Sequence, residues 1–418
     1  MDVRTFVEDK ARAARKAAQA LALSPTRVRN EALQAMARGL EEKTAALLEA
    51  NRADLERARA AGHPRAFLDR LTLTEPRIEE MAYGLRQIAA LPDPVGAVME
   101  TWRRPNGIDI ARVRVPLGVI GFIYEARPNV TADAAGLCVK SGNAVILRGG
   151  SEAIDSNGMI AAVLAKAMEK TGAPAEAIQF IDTTDREAVA ALLRLGDLVD
   201  LIIPRGGEEF VGWVAEHSRV PVLKHDRGLV HIFVDADADP EMASAIVMNA
   251  KVQRPSVCNA VETLLVHREI ASRFLPAMAA RLAEAGVELR GCPRTRVVVP
   301  EVRPATERDW DEEYLDLILA IRVVDDLDEA IRHIRRHGSG LAEAIVTGRL
   351  AHARRFTREV DAAAVLVNAS TRFVDGGQFG MGAEMGISTS RIHARGPVGV
   401  QELTTTKYVV QGDGQVRD

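Results

Sequence analysis

The chain has 418 residues, 47% of them hydrophobic, and a formal net charge of −4. Disorder is excluded, the length calls for two or more domains, and no general electrostatic case exists for nucleic acid. The cysteines, Cys138, Cys258 and Cys292, are spaced too widely for a disulfide framework or a thiolate zinc site, and no apolar run approaches the ~20 residues of a membrane span.

The N-terminus carries acids and no apolar signal core, so a reducing, cytoplasmic setting is expected. Residues 1–90 are rich in Ala, Leu, Glu and Arg and read as helical, with Leu33, Met36, Leu40 and Leu47 on one face. Ser24-Pro25 reads as an N-cap followed by Pro at the first helical position. Residues 95–102 and 108–115 read as strands, joined through the Asn-Gly turn of Arg104-Pro-Asn-Gly107. An isolated hairpin is marginal in water, so this one must pair with something else.

Strand–helix alternation follows. Strands are expected at 119–124, 144–147, 178–181, 198–203 and 230–234, with helices at 130–140 and 154–170 and from Glu208. Val/Ile runs separated by helices specify a parallel sheet covered on both faces. A helix over 240–250 leads to Cys258. Beyond it a second α/β unit is expected, with strands at 261–266, 317–324, 343–347 and 364–368 and helices at 269–285, 326–336 and 350–359. Residues 403–410 read as an exposed strand.

Cys258 falls in the short connection between a helix and a strand, beside basic residues, where a thiolate nucleophile is favoured. The alternative is an inert core thiol. Arg148, Gly149, Gly150 and Ser151 follow a strand and precede a helix, so their backbone N–H groups can approach an anion, unless this is an ordinary tight turn. Gly206 and Gly207 form a second such turn, and two of them point to a nucleotide crevice. Asn129 supplies an amide donor for an oxyanion, or simply caps its helix.

Four segments, Pro116–Val130, Lys140–Gly150, Gln253–Ala260 and Glu262–His267, resemble the γ-glutamyl phosphate reductases of the aldehyde dehydrogenase superfamily. The resemblance runs along essentially the whole chain. It implies an aldehyde dehydrogenase-like α/β fold with two parallel-sheet domains and a small β oligomerisation flap. A dinucleotide-binding domain is then expected at 1–94 and 117–247, a catalytic domain at 248–398, and the flap at 95–116 and 399–418.

The activity implied is NADPH-dependent reduction of L-glutamyl 5-phosphate to L-glutamate 5-semialdehyde, with release of phosphate, in proline synthesis. By position, Cys258 is the nucleophile and Asn129 the oxyanion donor. Arg148 replaces the lysine that reads the adenosine ribose, and Glu313 matches the glutamate that holds the nicotinamide ribose. No metal is implied. A homo-oligomer is implied, and transient contact with a glutamate kinase is plausible for so labile an acyl phosphate. Arg127 and the turn Ser370, Thr371, Arg372 are candidates for anchoring the substrate's amino-acid end.

The chain departs from aldehyde-oxidising relatives at one place. Their Glu-Leu-Gly-Gly segment carries a water-activating glutamate, where this chain has Val222-Leu-Lys-His-Asp-Arg-Gly228. A reductase must keep its thioester from water until hydride arrives, so the loss fits the chemistry. His225 and Asp226 are left there as structural, substrate-binding or acid–base groups. The competing readings are an aldehyde dehydrogenase that forms a free acid and a catalytically silent dinucleotide-binding or scaffolding protein.

Overall fold

The computed structural model describes residues 2–225 and 227–417. Helices α1 (Val3–Ala22), α2 (Thr26–Glu42), α3 (Thr44–Ala60), α4 (Arg65–Leu71) and α5 (Glu75–Ala90) occupy the region read as helical. α1 is amphipathic: Val7, Ala11, Ala14, Ala18 and Leu21 recur on one face, and all are buried. The α1–α2 junction departs from expectation by one position. Pro25 is itself the N-cap of α2, and the Ser24 hydroxyl donates back to the Ala20 carbonyl at 3.1 Å. Carbonyls in the last turn of a helix lack intrahelical partners, so α1 offers Ser24 the better acceptor.

Strands β1 (Val98–Arg103) and β2 (Asp109–Pro116) form the expected hairpin, closed by Gly107 at φ 87°. The tail strand Thr404–Gln411 pairs antiparallel with the other edge of β2, Thr404 opposite Pro116 and Gln411 opposite Asp109. That pairing supplies the support the hairpin lacked. All of β1 is exposed and all of β2 half-buried, so this small sheet has no buried face of its own.

The alternating region gives β3 (Val119–Tyr124), α6 (Pro128–Lys140), β4 (Ala144–Arg148), α7 (Ile154–Glu169), β5 (Ile178–Phe180), α8 (Glu187–Leu192), β6 (Leu201–Arg205) and α9 (Glu208–His217). The four strands are parallel, in the order β5-β4-β3-β6. β6 starts three residues later than expected. Residues 198–200 make a turn that aims Asp200 at the Val119 N–H (2.7 Å) and at Arg15 (2.8 Å).

Residues 2–225, 380–386 and 392–417 form one compact unit, and 227–379 with 387–391 form a second. The second contains β7 (Val230–Val234), α10 (Pro240–Val252), β8 (Val261–His267), α11 (Arg268–Glu284), β9 (Glu288–Gly291), α12 (Pro293–Val298), β10 (Arg303–Pro304), β11 (Ile318–Val324), α13 (Leu327–His337), β12 (Ala342–Val346), α14 (Leu350–Glu359) and β13 (Ala364–Val367). Its seven strands run parallel in the order β10-β9-β11-β8-β7-β12-β13.

β7 was expected to extend the first sheet and lies instead between β8 and β12, so the second unit begins before β7 rather than at residue 248. The alternation of β7 explains its position. Ile232 and Val234 enter the core shared with α10 and α11, while Phe233 enters the core shared with α13 and α14. Each fully buried side chain of this size stabilises by roughly 1.5–3 kcal/mol. No helix among the described residues is long and apolar enough to cross a membrane.

Candidate active site

In the second unit, α10 delivers the chain to Cys258. Asp239 caps it by accepting from the Met242 N–H at 2.8 Å, and Pro240 occupies its first turn. It ends at Val252 because Pro255 cannot continue a helix. Lys251 and Glu262, both fully buried, meet at 2.7 Å and tie the end of α10 to β8 across the intervening loop. Burial pushes the Lys251 ammonium down and the Glu262 carboxyl up.

The loop is held on three further sides. A turn closes it internally, the Ala260 N–H donating to the Val257 carbonyl at 3.0 Å with Cys258 inside the turn. Beneath it lies Gly228, where a Cβ would sit 2.2 Å from the Cys258 carbonyl oxygen and 2.6 Å from its Cα. Only glycine permits that approach. On the remaining side the Thr371 hydroxyl donates to the Asn259 carbonyl (2.8 Å), and the Asn259 amide donates to the Val374 carbonyl (2.9 Å). Arg372 Nε donates to Gln253 Oε1 at 2.7 Å, and the same guanidinium donates to Asn259 Oδ1.

Cys258 is half-buried against Val230, Leu341, Ala342, Val374 and Ile387, whereas Cys138 and Cys292 are buried. Burial alone pushes the Cys138 thiol up. Burial, and then the charge of Arg254, hold the Arg372 guanidinium below its usual range, while Asp375 and Cys258 act in the opposite direction.

This geometry corrects part of the expected substrate turn. Thr371 is fully buried with its hydroxyl committed to Asn259, and buried Ser370 accepts from the Arg372 N–H as a cap at 3.3 Å. Thr371 is scaffold for the loop, and Ser370 caps the turn that carries Arg372. Arg372 alone of the three is partly exposed.

Glu313 lies on a segment pinned at the two residues that follow it. The Tyr314 hydroxyl donates to Asp309 Oδ1 at 2.7 Å, and its ring lies under the Arg290 guanidinium. Leu315 takes a left-handed φ of 53°, and its N–H donates to Glu262 Oε1 at 3.3 Å. A left-handed leucine is uncommon and persists only where its surroundings fix it. Glu262 therefore serves both the Cys258 loop and the Glu313 segment.

In the first unit, Asn129 is exposed in the first turn of α6. It is not the cap. Arg127, half-buried and extended (φ −134°, ψ 92°), holds the N-cap position ahead of Pro128. The Asn129 amide instead lies 3.5 Å from Asp133 Oδ2, the outer limit of a hydrogen bond. Burial pushes the Asp133 carboxyl up to about 7, Asn129 opposes the rise and Glu80 adds to it.

Arg148 ends β4, half-buried, with one guanidinium N–H donating to the Gly149 carbonyl at 2.8 Å and a buried Nε that has no partner among the described residues. A Cβ at Gly149 would strike the Asn157 amide at 2.1 Å, and one at Gly150 would lie 3.0 Å from the Ala126 nitrogen. The turn needs both glycines, and it leads through a 3-10 turn at Ser151–Ala153 into α7. A buried guanidinium nitrogen without an acceptor, beside a bare backbone turn opening a helix, fits a phosphorylated dinucleotide. Gly206 packs on Phe210, while Gly207 opens onto empty space and is not required by any close contact. His225 is half-buried, and Asp226 lies outside the described residues.

Sequence reasoning left Gly228, Gln253, Asn259 and Val374 without a role. Their part in the site comes from contacts between distant segments, for which a single sequence carries no local signal.

The chain matches the aldehyde dehydrogenase family over residues 4–298 and 297–409. It is 58% identical over 417 residues to a γ-glutamyl phosphate reductase of Moorella thermoacetica, covering 100% of both chains. To the protein of that name from Syntrophomonas wolfei subsp. wolfei it is 55% identical over 409 residues, covering 98% of each. The crystal structure of γ-glutamyl phosphate reductase from Thermotoga maritima superposes with a TM-score of 0.97 at 50% identity, covering 99% of this chain and 100% of that one. The fold is therefore that expected from the sequence, and the chain belongs to the aldehyde dehydrogenase family, in its γ-glutamyl phosphate reductase branch.

Proposed function

We propose that this chain reduces L-glutamyl 5-phosphate to L-glutamate 5-semialdehyde with release of phosphate, as a step of proline synthesis. The observation that carries the reading is Cys258, the one partly exposed thiol among the described residues, fixed in a turn closed by its own hydrogen bond and held by Gly228, by the 371–374 segment and by the Lys251–Glu262 pair. Likeness to reductases of this name along the full chain supports it.

In this mechanism the Cys258 sulfur attacks the acyl carbon. The oxygen of the tetrahedral adduct is stabilised by the Cys258 backbone N–H and the Asn129 amide. Phosphate departs and leaves a γ-glutamyl thioester. Reduction of this thioester to the aldehyde takes a hydride, which a nicotinamide cofactor would supply when bound. The family uses a nicotinamide cofactor, and we assign NADPH specifically. Arg148 with the Gly149-Gly150-Ser151 turn, Gly206-Gly207 and Glu313 are proposed to hold it, and Arg127 to bind the amino-acid end of the substrate. The chain has no counterpart of the water-activating glutamate, so the thioester is spared hydrolysis.

We further infer a homo-oligomer formed through the exposed three-stranded flap, a cytoplasmic setting, and transient delivery of the acyl phosphate by a glutamate kinase.

The direct test runs the reaction backwards, with semialdehyde and NADP+, with and without inorganic phosphate. NADPH formation that requires phosphate is expected. Equal formation without phosphate, with glutamate as product, supports an acid-forming aldehyde dehydrogenase instead.

A further inference from the structure

We propose that Arg254 and Arg372 form the subsite for the phosphoryl group of the acyl phosphate, a binding role distinct from anchoring the amino-acid end. The proposal rests on the acyl-phosphate reading above. Its geometric basis is the way Arg372 spans the nucleophile's loop. Its Nε donates to Gln253 Oε1 at 2.7 Å, and the guanidinium also donates to Asn259 Oδ1, so it touches both ends of the segment that contains Cys258. Both acceptors are neutral amides. They fix the guanidinium without cancelling its charge.

Arg254 follows Gln253 directly, is exposed, and enters no ion pair among the described residues. Many other arginines of this unit are matched to acids, as Arg290 is to Asp309 and Arg294 to Asp325, both within 3 Å. The acid nearest in charge to Arg372 is Asp375, whose Oδ1 is already accepting from the Gly377 (2.9 Å) and Gln378 (3.2 Å) N–H groups. Two like charges that oppose each other, one anchored by neutral amides on the Cys258 loop and the other without an acid among the described residues, are relieved when a dianion arrives.

The substrate carries two anionic ends, and chain length decides between them. Once the acyl carbon bonds sulfur, one oxygen separates it from phosphorus, whereas three carbons separate it from the α-carboxylate. A guanidinium hydrogen-bonded to both Gln253 and Asn259, the residues that bracket Cys258 in the loop, is therefore assigned to the leaving group. In the step served, the S–C bond forms, the C–O bond breaks, and the oxygen keeps that electron pair as inorganic phosphate, which also takes up the thiol's proton. Positive charge at this position stabilises the departing phosphate and, in reverse, gathers the attacking one.

The test uses the phosphate-dependent oxidation of semialdehyde by the full-length protein, with inorganic phosphate as the varied anion. Arg254→Gln and Arg372→Gln are each expected to raise the KM for phosphate at least tenfold, while the KM values for semialdehyde and NADP+ change less than threefold. Phosphate should also slow alkylation of Cys258 by iodoacetamide in the parent protein and lose that protection in the variants. Because Arg372 also holds the loop, Arg254→Gln, which removes no ion pair among the described residues, is decisive if Arg372→Gln does not fold. An unchanged phosphate KM with a raised semialdehyde KM overturns the proposal and assigns the pair to the substrate's carboxylate. A parent protein with no phosphate requirement refutes the acyl-phosphate reading itself, and this subsite with it.

Discussion

Gly228 leaves no room for a side chain beside Cys258. A methyl group there would overlap the Cys258 backbone, and backbone cannot swing aside as a flexible side chain can. Gly228→Ala is therefore expected to lower kcat more than tenfold while the far-ultraviolet circular dichroism stays that of the parent. An unchanged kcat would show that the loop moves without penalty. On the oxyanion role proposed for Asn129, whose loss typically costs ~100-fold or more in rate, Asn129→Ala should lower kcat by about that factor with little change in cofactor affinity. Its neighbour Asp133 makes this residue sensitive to pH. Burial raises the Asp133 carboxyl to about 7, so the native state holds a proton that the unfolded chain has released. The stability this group contributes is full below the ordinary carboxylate range and is lost as pH rises through about 7. Ionisation also gives the Asn129 amide a stronger acceptor, which would compete with its proposed role toward the oxyanion. An inflection near pH 7 in kcat is expected, and Asp133→Asn should remove it. Retention of the inflection in that variant would place the titration elsewhere.

Among the elements, α10 and β8 carry the site, and the Lys251–Glu262 pair couples them. Removing one partner leaves a buried charge uncompensated, which typically costs ~3–5 kcal/mol. Lys251→Met should therefore destabilise by about that much in urea unfolding, and Lys251→Met with Glu262→Leu should recover most of it. A single variant as stable as the parent would mean the pair is already neutral in the fold. The elements also show how far the sequence could be read. The strand–helix alternation, the hairpin turn at Gly107 and the position of Cys258 between α10 and β8 depend on local periodicity and turn chemistry, and these were legible. The membership of β7 was not, because an apolar run looks the same in either sheet. The short elements β9, α12 and β10 were missed because none is long enough to show a period. The clamp of Thr371 and Arg372 on Gln253 and Asn259 joins residues 112 to 119 positions apart, and no spacing rule reaches that far. Asn129 was open between cap and donor, and the structure removes the cap, since Pro128 places it inside the first turn of α6.

For the whole molecule, the flap is the part that looks incomplete in a single chain. Val98, Met99, Trp102, Tyr408 and Val410 are exposed on a sheet with no buried face, and Trp102 meets Tyr408 edge-on at 6.1 Å. Exposed apolar side chains on such a sheet are the basis of the proposed association through the flap. Trp102→Glu with Tyr408→Lys should lower the sedimentation mass to that of a single chain and leave the helical signal intact. Parent and variant of equal mass would remove the flap from assembly. The proposed chemistry depends on a covalent acyl group on one sulfur. Its most direct test is peptide mass analysis after L-glutamyl 5-phosphate, generated in situ, is mixed with the protein in the absence of cofactor. A single γ-glutamyl adduct on the peptide containing Cys258, discharged when NADPH is added, is the predicted result. No adduct on that peptide, together with full turnover by Cys258→Ala, would contradict it.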